Sequence, residues 1–300
     1  CRRAPKREPP AVRPAGARSH RILVEATVKD RDLAARLLSG SWAPAAGGEE
    51  AEGRLTLLGP IAQGPFDDAG DRGIDVALPH LGRWARWRLN ERDARLCGEG
   101  GVTWAMAVVL ANLIAAAPEY PRLKILEVGA GTGLVALTLA GRGHEVVASD
   151  GHDCVLANLR RNVGPEASAA LPGRIRPLRL RWHVEEDRAA AAALGAFDLV
   201  LGADLLYDRP NCDALRAVLR SLLPRGAEAV FAERDRLGHA TRCAAALRED
   251  GLEVEEAAGA PAGEGAVVNG LRNPWLLRAG SAGPLVLRVR RRGRGSRQQQ

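Results

Sequence analysis

The segment Leu123–Asp150 constrains this chain more than any other stretch, because it joins two apolar runs through a glycine-rich turn. The first run, residues 123–128, is short and rich in branched side chains, which is typical of a buried parallel strand. Residues 134–140 contain no Pro or Gly and predict a helix. A second strand is predicted over residues 145–149. The order strand, glycine turn, helix, strand indicates an α/β unit.

The turn itself has the composition of a nucleoside-binding loop. Gly129, Gly131 and Gly133 carry no Cβ, so their backbone can approach a ligand closely while the positive end of the next helix faces it. Asp150 ends the second strand twenty-one residues after Gly129. A carboxylate at that distance can accept both hydroxyls of a ribose. The alternative interpretation is a βα turn that needs glycine only for tightness.

The spacing within the turn separates cofactor classes. A dinucleotide fingerprint needs G-x-G-x-x-G or A, whereas the sixth position here is Leu134. The spacing G-x-G-x-G, preceded by the acidic residue Glu127, suits a smaller ligand with a cationic group, such as S-adenosylmethionine. A nicotinamide-dependent dehydrogenase is the more remote alternative.

Composition limits the class of protein. The 300 residues are 46% hydrophobic, which is enough for a sizeable core. The sequence contains no run of eighteen apolar residues, so we expect no membrane-spanning helix. The five cysteines are odd in number, lie far apart and form no C-x-x-C. We therefore expect reduced thiols in a cytoplasmic protein, with neither disulfides nor a zinc site. We also expect the protein to be a monomer.

The net charge of +7 belongs to the two ends of the chain. Residues 1–21 contribute +6 and residues 288–300 another +6, which leaves −5 for residues 22–287. We expect two disordered basic tails, residues 1–21 and 291–300, and no nucleic-acid surface except these tails. The amino-terminal segment is rich in Arg and poor in acidic residues, so the remainder of an organelle transit peptide is an alternative interpretation. Because the chain begins with Cys, we also expect it to be a fragment.

Two regions lie between the tails. Residues 22–100 predict a small β-rich cap, with strands at residues 20–29, 54–61 and 83–89, a helix at 30–38, a loop at 43–53 and a turn-rich stretch at 64–73. Residues 101–290 predict the main domain. It opens with a buried helix at residues 101–117, for which Thr103 is a suitable N-cap.

Strands and helices alternate through the main domain after Asp150. Helices are predicted at residues 154–163, 187–194, 211–223 and 239–249, and strands at 174–182, 197–203, 227–232, 252–255 and 284–289. Pro177 marks an edge strand, and residues 164–173 predict a loop. This alternation predicts a doubly wound α/β sheet, in which ligands bind beyond the carboxyl ends of the strands. The glycine turn and Asp204–Tyr207 should lie there, on neighbouring strands.

Several of these motifs together resemble a family. EVGAGTGL, the Asp150 tip, RLRW ending at Trp182 and FDLVLGADLLYD look like the seven-β-strand protein lysine methyltransferases, methyltransferase family 16. The likeness extends over about residues 86–289. It implies a Rossmann-like seven-stranded sheet, S-adenosylmethionine as cofactor and a protein substrate.

The resemblance also implies roles for single residues. The cofactor would be held by Trp104, Gly129, Ala130, Gly131, Asp150, Trp182 and Ala203. The composition of the glycine turn adds Glu127 and Gly133 to the candidate cofactor residues. Asp204 and Tyr207 would face the substrate amine, the acid orienting it and the phenol shaping its channel. No metal is implied, and His144, His152 and His183 are expected to cap or decorate loops.

Other interpretations stay open at this point. Asp204 could be a turn cap, Tyr207 and Trp182 could be packing residues, and Trp104 could belong to the core. The chain could methylate protein arginine or histidine, a small molecule or RNA. It could also bind a cofactor or partner without catalysis.

Overall fold

The computed structural model describes residues 20–27, 54–63, 65–78, 86–116, 121–258 and 284–291. The helix expected at residues 30–38 and the loop at 43–53 lie outside the described residues. So do the two expected tails, apart from residues 20, 21 and 291, which are the ends of strands rather than parts of a tail.

The amino-terminal part forms a four-stranded antiparallel sheet in the order β1-β2-β3-β4. Its strands are β1 His20–Thr27, β2 Arg54–Gln63, β3 Asp71–Ala77 and β4 Arg86–Arg92. The prediction missed β3, since its first residues fall in the stretch expected to be turns. Alternating Ile74 and Val76 bury their side chains there while the strand pairs with β4. The expected domain boundary at residue 100 stays a prediction.

The main domain contains a seven-stranded sheet in the order β10-β11-β9-β8-β5-β6-β7. Its strands are β5 Lys124–Val128, β6 Glu145–Asp150, β7 Arg174–Arg179, β8 Leu199–Ala203, β9 Glu228–Arg234, β10 Leu252–Ala258 and β11 Pro284–Arg291. Strands β5 to β9 pair in parallel, and β11 is antiparallel to both β9 and β10. The predicted doubly wound α/β sheet is therefore confirmed, with β7 at its edge and β5 beside β8.

Helices alternate with these strands as expected. They are α1 Ala94–Cys97, α2 Ala105–Ala116, α3 Leu134–Gly141, α4 Asp153–Asn162, α5 Pro165–Ser168, α6 Glu185–Ala192, α7 Arg209–Leu222 and α8 His239–Glu249. The short helix α5 falls in the loop predicted at residues 164–173. Among the helices of the described ranges, none has the length and apolar character to span a bilayer.

The predicted N-cap of α2 is wrong. Thr103 lies one residue too early, because the carbonyl of Trp104 accepts the first hydrogen bonds of the helix, from Ala107 and Val108 at 3.1 and 3.3 Å. The Thr103 hydroxyl instead lies 2.8 Å from the hydroxyl of Thr132, which stands between Gly131 and Gly133 in the glycine turn. Tertiary contact thus outweighs the local capping preference of threonine.

Two apolar layers cover the faces of the seven-stranded sheet. Adjacent residues of β5 point to opposite sides, so Ile125 packs with α2, α3 and β3 while Leu126 packs with α7 and α8. Strands buried on both faces are mostly apolar, as β8 is throughout and as β5 is except for Lys124 and Glu127.

The four-stranded sheet is joined to the main domain through β4. Glu91 is fully buried, and its carboxylate accepts hydrogen bonds from Arg72 Nε at 2.6 Å and from the Thr103 backbone at 2.7 Å. The next residue back, Asn90, hydrogen-bonds with Asn158 and Asn162 of α4 at 2.8 to 2.9 Å. These partners fix β4 against the segment that leads into α2.

The expectation that no cysteine forms a disulfide is wrong for two pairs. Cys97 is bonded to Cys154, and Cys212 to Cys243. The fold brings residues of different helices to Cα separations of 5.3 and 5.5 Å, which spacing in the sequence could not reveal. The predicted cytoplasmic location stays a prediction, but it loses the support of reduced thiols.

We expect reduction of these disulfides to lower stability. They close loops with sequence separations of 57 and 31 residues, and restricting the unfolded chain in this way contributes up to about 4 kcal/mol per bridge. Urea unfolding with and without a thiol reductant should give clearly different midpoints. In the Cys212→Ser, Cys243→Ser variant, which retains one disulfide, the reductant should shift the urea midpoint by a smaller amount. Equal midpoints with and without reductant for the unsubstituted chain would contradict the expectation.

Candidate functional site

A cavity of about 380 Å³ opens at the carboxyl ends of β5, β6 and β8. This volume is in the usual range for small-molecule sites. Most of the residues singled out in the sequence line it, namely Trp104, Gly129, Gly131, Asp150, Trp182, Ala203, Asp204 and Tyr207. The other three, Glu127, Ala130 and Gly133, are not among its lining residues.

The glycine turn forms one wall of the cavity. Gly129 has a φ of +65°, and a Cβ there would lie 2.5 Å from Leu205 Cδ2 and 3.4 Å from Trp182 Cζ2. Gly131, with a φ of +53°, donates its backbone N–H to Asp150 Oδ2 at 3.2 Å. The turn therefore requires glycine both for its backbone conformation and for close approach.

Ala130 and Gly133 support the turn from behind. The Ala130 backbone donates to the Ser149 carbonyl at 2.8 Å and so joins the turn to β6. Gly133 precedes α3 in the left-handed conformation, and a Cβ there would meet Leu159 Cδ1 at 2.7 Å. The structure thus gives both residues a packing position, and their direct contact with a cofactor stays a prediction.

Asp150 presents an oriented carboxylate at the end of β6. Its Oδ1 accepts from the His152 backbone at 3.1 Å and its Oδ2 from Gly131, so both oxygens point along defined directions. Burial raises the pKa of Asp150, while these backbone hydrogen bonds lower it. His152 and His183, expected only to decorate loops, also line the cavity. His144 does not; its Nδ1 accepts from the Leu123 backbone at 3.2 Å.

Glu127 is buried within β5 rather than in the cavity wall. Its side-chain Oε2 has no hydrogen-bond partner within the described parts of the chain. Burial raises the pKa of Glu127 to about 8, partly opposed by a hydrogen bond from the Ala136 backbone at the start of α3. Glu127 is not among the residues that line the cavity, and its direct contact with the cofactor stays a prediction.

We expect Glu127 to make stability fall with rising pH. Its folded pKa of about 8 lies above the ordinary 4.5, so its contribution is complete below pH 4.5 and is lost as pH rises through 8. Within that window the loss is at most about 1.4 kcal/mol per pH unit. Glu127→Gln should flatten the decline seen by urea unfolding between pH 5 and 8. Glu145→Gln, at an exposed position, serves as control, and parallel curves for Glu127→Gln and the unsubstituted chain would contradict the assignment.

The residues that follow β8 form the opposite wall. Asp204 has a φ of +56°, a strained conformation for a residue other than glycine, and such strain often occurs at functional sites. Its carboxylate is already engaged, since Oδ2 accepts from the Met106 backbone at 3.3 Å and Oδ1 from Arg236 at 3.1 Å. Tyr207 is 43% exposed at the cavity.

Glu233 at the end of β9 is a site residue that the sequence interpretation missed. Its Oε1 accepts from the Leu205 backbone at 3.1 Å and its Oε2 from the Leu206 backbone at 3.0 Å. Burial, and then the nearby Asp204, raise the pKa of Glu233 to about 8. This side chain holds the loop between Asp204 and Tyr207 in place. The sequence signal that could have identified Glu233 is an acidic residue near the end of the apolar run that forms β9, the strand beside β8.

The segment before α2 closes the cavity and was also missed. Residues 97–100 line it, and the Trp104 indole donates to the Glu99 carbonyl at 2.7 Å. The Cys97–Cys154 disulfide fastens this segment to α4. No sequence motif marks residues 97–100 as part of a site. As for metals, the described residues contain no group of three or more His, Cys, Asp or Glu able to hold an ion.

Comparison with known proteins identifies the family. The family model described as "Lysine methyltransferase" matches residues 87–248, more than half of the chain. The chain belongs to this lysine methyltransferase family. The matched range contains every residue that lines the cavity, from Cys97 to Ala214.

Individual relatives agree with this assignment. The chain is 36% identical over 121 residues to mouse "Protein N-lysine methyltransferase METTL21A", which covers 39% of this chain and 52% of the relative. It is 34% identical over 104 residues to mouse "EEF1A lysine methyltransferase 3", covering 35% and 42%. The chain thus spans about half the length of the curated relatives it matches.

Solved structures include a Thermus thermophilus protein described as "16S rRNA N2 G1207 methyltransferase (RsmC) in complex with AdoMet and Guanosine". The identity is 17% and the TM-score 0.49, with coverage of 76% of this chain and 52% of the other.

We expect Gly129→Ala to disturb the cavity specifically. Its new methyl group would lie 2.5 Å from Leu205 Cδ2, so the turn or the loop after β8 must shift. Gly143→Ala is the matched control, because Gly143 also has a positive φ but no atom lies within 4 Å of its missing Cβ. Both variants should lose about 1–2 kcal/mol from left-handed strain. Only Gly129→Ala should also reduce the rise in melting temperature that adenosylhomocysteine produces; equal rises in both variants would argue against this wall as the binding site.

Proposed function

We propose that this protein is an S-adenosylmethionine-dependent protein-lysine N-methyltransferase. The observation that carries the proposal is that one cavity is lined both by the glycine turn with Asp150 and by Asp204 with Tyr207. The turn and Asp204 follow the adjoining strands β5 and β8. Membership of the lysine methyltransferase family supports it. The chain aligns with only about half of its relatives' length. The methyl-transfer activity and the lysine acceptor are therefore our proposal for this chain.

The residues present fit an adenosyl cofactor. Gly129 and Gly131 leave space where side chains would stand, and the Trp182 ring lies beside Gly129. Asp150 presents an oriented carboxylate at the end of β6, the position from which an acidic residue can accept ribose hydroxyls. When bound, S-adenosylmethionine supplies an electrophilic methyl group on a sulfonium. Trp104 and Ala203 complete the wall between this end of the cavity and Asp204.

The acceptor end provides positioning and electrostatic stabilisation. An amine nitrogen with a free electron pair forms the new N–C bond as the S–C bond breaks, and the methylated nitrogen gains the positive charge that sulfur loses. Solvent removes the proton from the incoming ammonium, whose reference pKa is about 10.4. The Asp204 carboxylate stabilises the cation forming on nitrogen, and Tyr207 borders the path of the side chain. Orientation in such a site contributes roughly 7–11 kcal/mol.

The acceptor is inferred to be a lysine side chain of a protein. Two of the relatives are named for protein-lysine methylation, one of them for EEF1A. The exposure of Tyr207 suits an acceptor that reaches into the cavity from the surface of another protein. We further propose that the enzyme acts as a monomer in the cytoplasm.

Asp204→Asn should separate binding from transfer. The amide keeps an oxygen for the Met106 backbone but lacks the negative charge, so we expect about a hundredfold slower transfer with little change in adenosylhomocysteine affinity. The measurement is tritiated-methyl incorporation into lysate proteins, followed by mass spectrometry of the labelled residue.

Asp213→Asn provides the matched control, because Asp213 lies on α7 and pairs at the surface with Arg216. It should transfer methyl groups at the unsubstituted rate. A methylated nucleotide, metabolite, arginine or histidine as the product would refute lysine as acceptor. Adenosylhomocysteine binding without any transfer by the unsubstituted chain would refute catalysis.

A further inference from the structure

The carboxylate of Asp204 is held from two elements that lie far apart in the sequence. The Met106 backbone N–H, in the first turn of α2, approaches Oδ2 at 3.3 Å, and Arg236 Nη2 approaches Oδ1 at 3.1 Å. The Asp204 side chain is only 3% exposed. A buried carboxylate with a fixed cation on one oxygen and a helix N-terminus on the other has one defined orientation.

Arg236 is itself fixed on its far side. Its guanidinium carbon lies 5.1 Å from the centroid of the Trp104 ring, and its side chain is 30% exposed. The short 3-10 turn Arg236–Gly238 carries it, and Leu237 within that turn has a φ of +54°. Arg242 fastens the turn by donating to the Leu237 carbonyl at 2.7 Å. Arg236 therefore connects one aromatic wall of the cavity with the acid at its acceptor end.

The charges around Asp204 explain why a cation is needed there. Within the described parts of the chain, the charged groups that act on Asp204 are Arg236, Arg234 and Glu233, which lie on β9 or in the turn after it. Burial and the negative neighbour favour a protonated Asp204, whereas the two arginines favour the carboxylate. A neutral acid could not stabilise the positive charge that reaches the acceptor nitrogen during transfer.

We infer that Arg236 is a positioning residue of the acceptor site: stacked on Trp104, it orients the Asp204 carboxylate and keeps it negatively charged for methyl transfer. This inference rests on the proposed function. Arg236 does not line the cavity, so it acts through Asp204 rather than on the acceptor. A planar guanidinium combines stacking with a directed hydrogen bond, whereas a lysine would supply the charge alone.

The test compares Arg236→Met, which keeps an apolar stem without charge, with Arg236→Lys, which keeps the charge. Initial rates of tritiated-methyl incorporation are measured over a dilution series of one lysate at saturating S-adenosylmethionine, which gives an apparent maximal rate and a half-saturating lysate concentration. Adenosylhomocysteine affinity is measured by calorimetry and folding by melting temperature. Arg248→Met is the matched control, because Arg248 lies on α8 and pairs with Glu256 rather than with Asp204 or the turn that carries Arg236.

We expect Arg236→Met to lower the maximal rate about tenfold or more, with the half-saturating concentration and the adenosylhomocysteine affinity within about threefold of the unsubstituted values. Arg236→Lys should recover most of the rate, and Arg248→Met should match the unsubstituted enzyme. An unchanged rate in Arg236→Met overturns the inference. So does a parallel loss of rate and cofactor affinity, which would mark a structural role through Trp104, or a lysine variant as slow as the methionine one. If the unsubstituted protein incorporates no label, the proposed function is refuted, and the role of Arg236 that depends on it is refuted as well.

Discussion

The parallel pairing of β5 with β8 is the constraint on which the rest of the site depends. Ile125, Leu126 and Glu127 align with residues 199–201 in the same direction, so both strands end at one edge of the sheet. The glycine turn leaves the first strand at that edge and the loop of Asp204 leaves the second. Because both strands are buried on two faces, their register is fixed by packing on each side.

Three carboxyl groups are buried behind or beside this edge, and each has a different relation to the protein around it. Glu233 accepts two backbone N–H groups and thereby shapes the loop after β8. Asp204 is compensated by Arg236 and by the N-terminus of α2. Glu127 accepts a hydrogen bond from the Ala136 backbone, and burial raises its pKa to about 8, as it does that of Glu233. Burying ionisable groups opposes folding unless hydrogen bonds or opposite charges accompany them, so their concentration here is consistent with selection for function rather than stability.

The amino-terminal sheet contributes to the site indirectly. Through Glu91 it holds the Thr103 backbone, one residue before the Trp104 side chain that borders the cavity. The Cys97–Cys154 disulfide holds the same segment against α4. The wall at residues 97–104 is therefore held by partners from both the small sheet and the main domain.

The sequence by itself determined the alternation of strands and helices after residue 123, the adjacency of the glycine turn and Asp204, and the family. These follow from short-range information: apolar periodicity, glycine spacing and the position of an acid at a strand end. Boundaries failed where a distant partner prevailed, as when Thr103 pairs with Thr132 instead of capping α2. Tertiary structure alone decided which cysteines meet, that Glu127 lies behind the turn, and that Glu233 and Arg236 serve the loop of Asp204. Those contacts join residues dozens of positions apart, and only the packing of the sheet and its helices sets the distances between them.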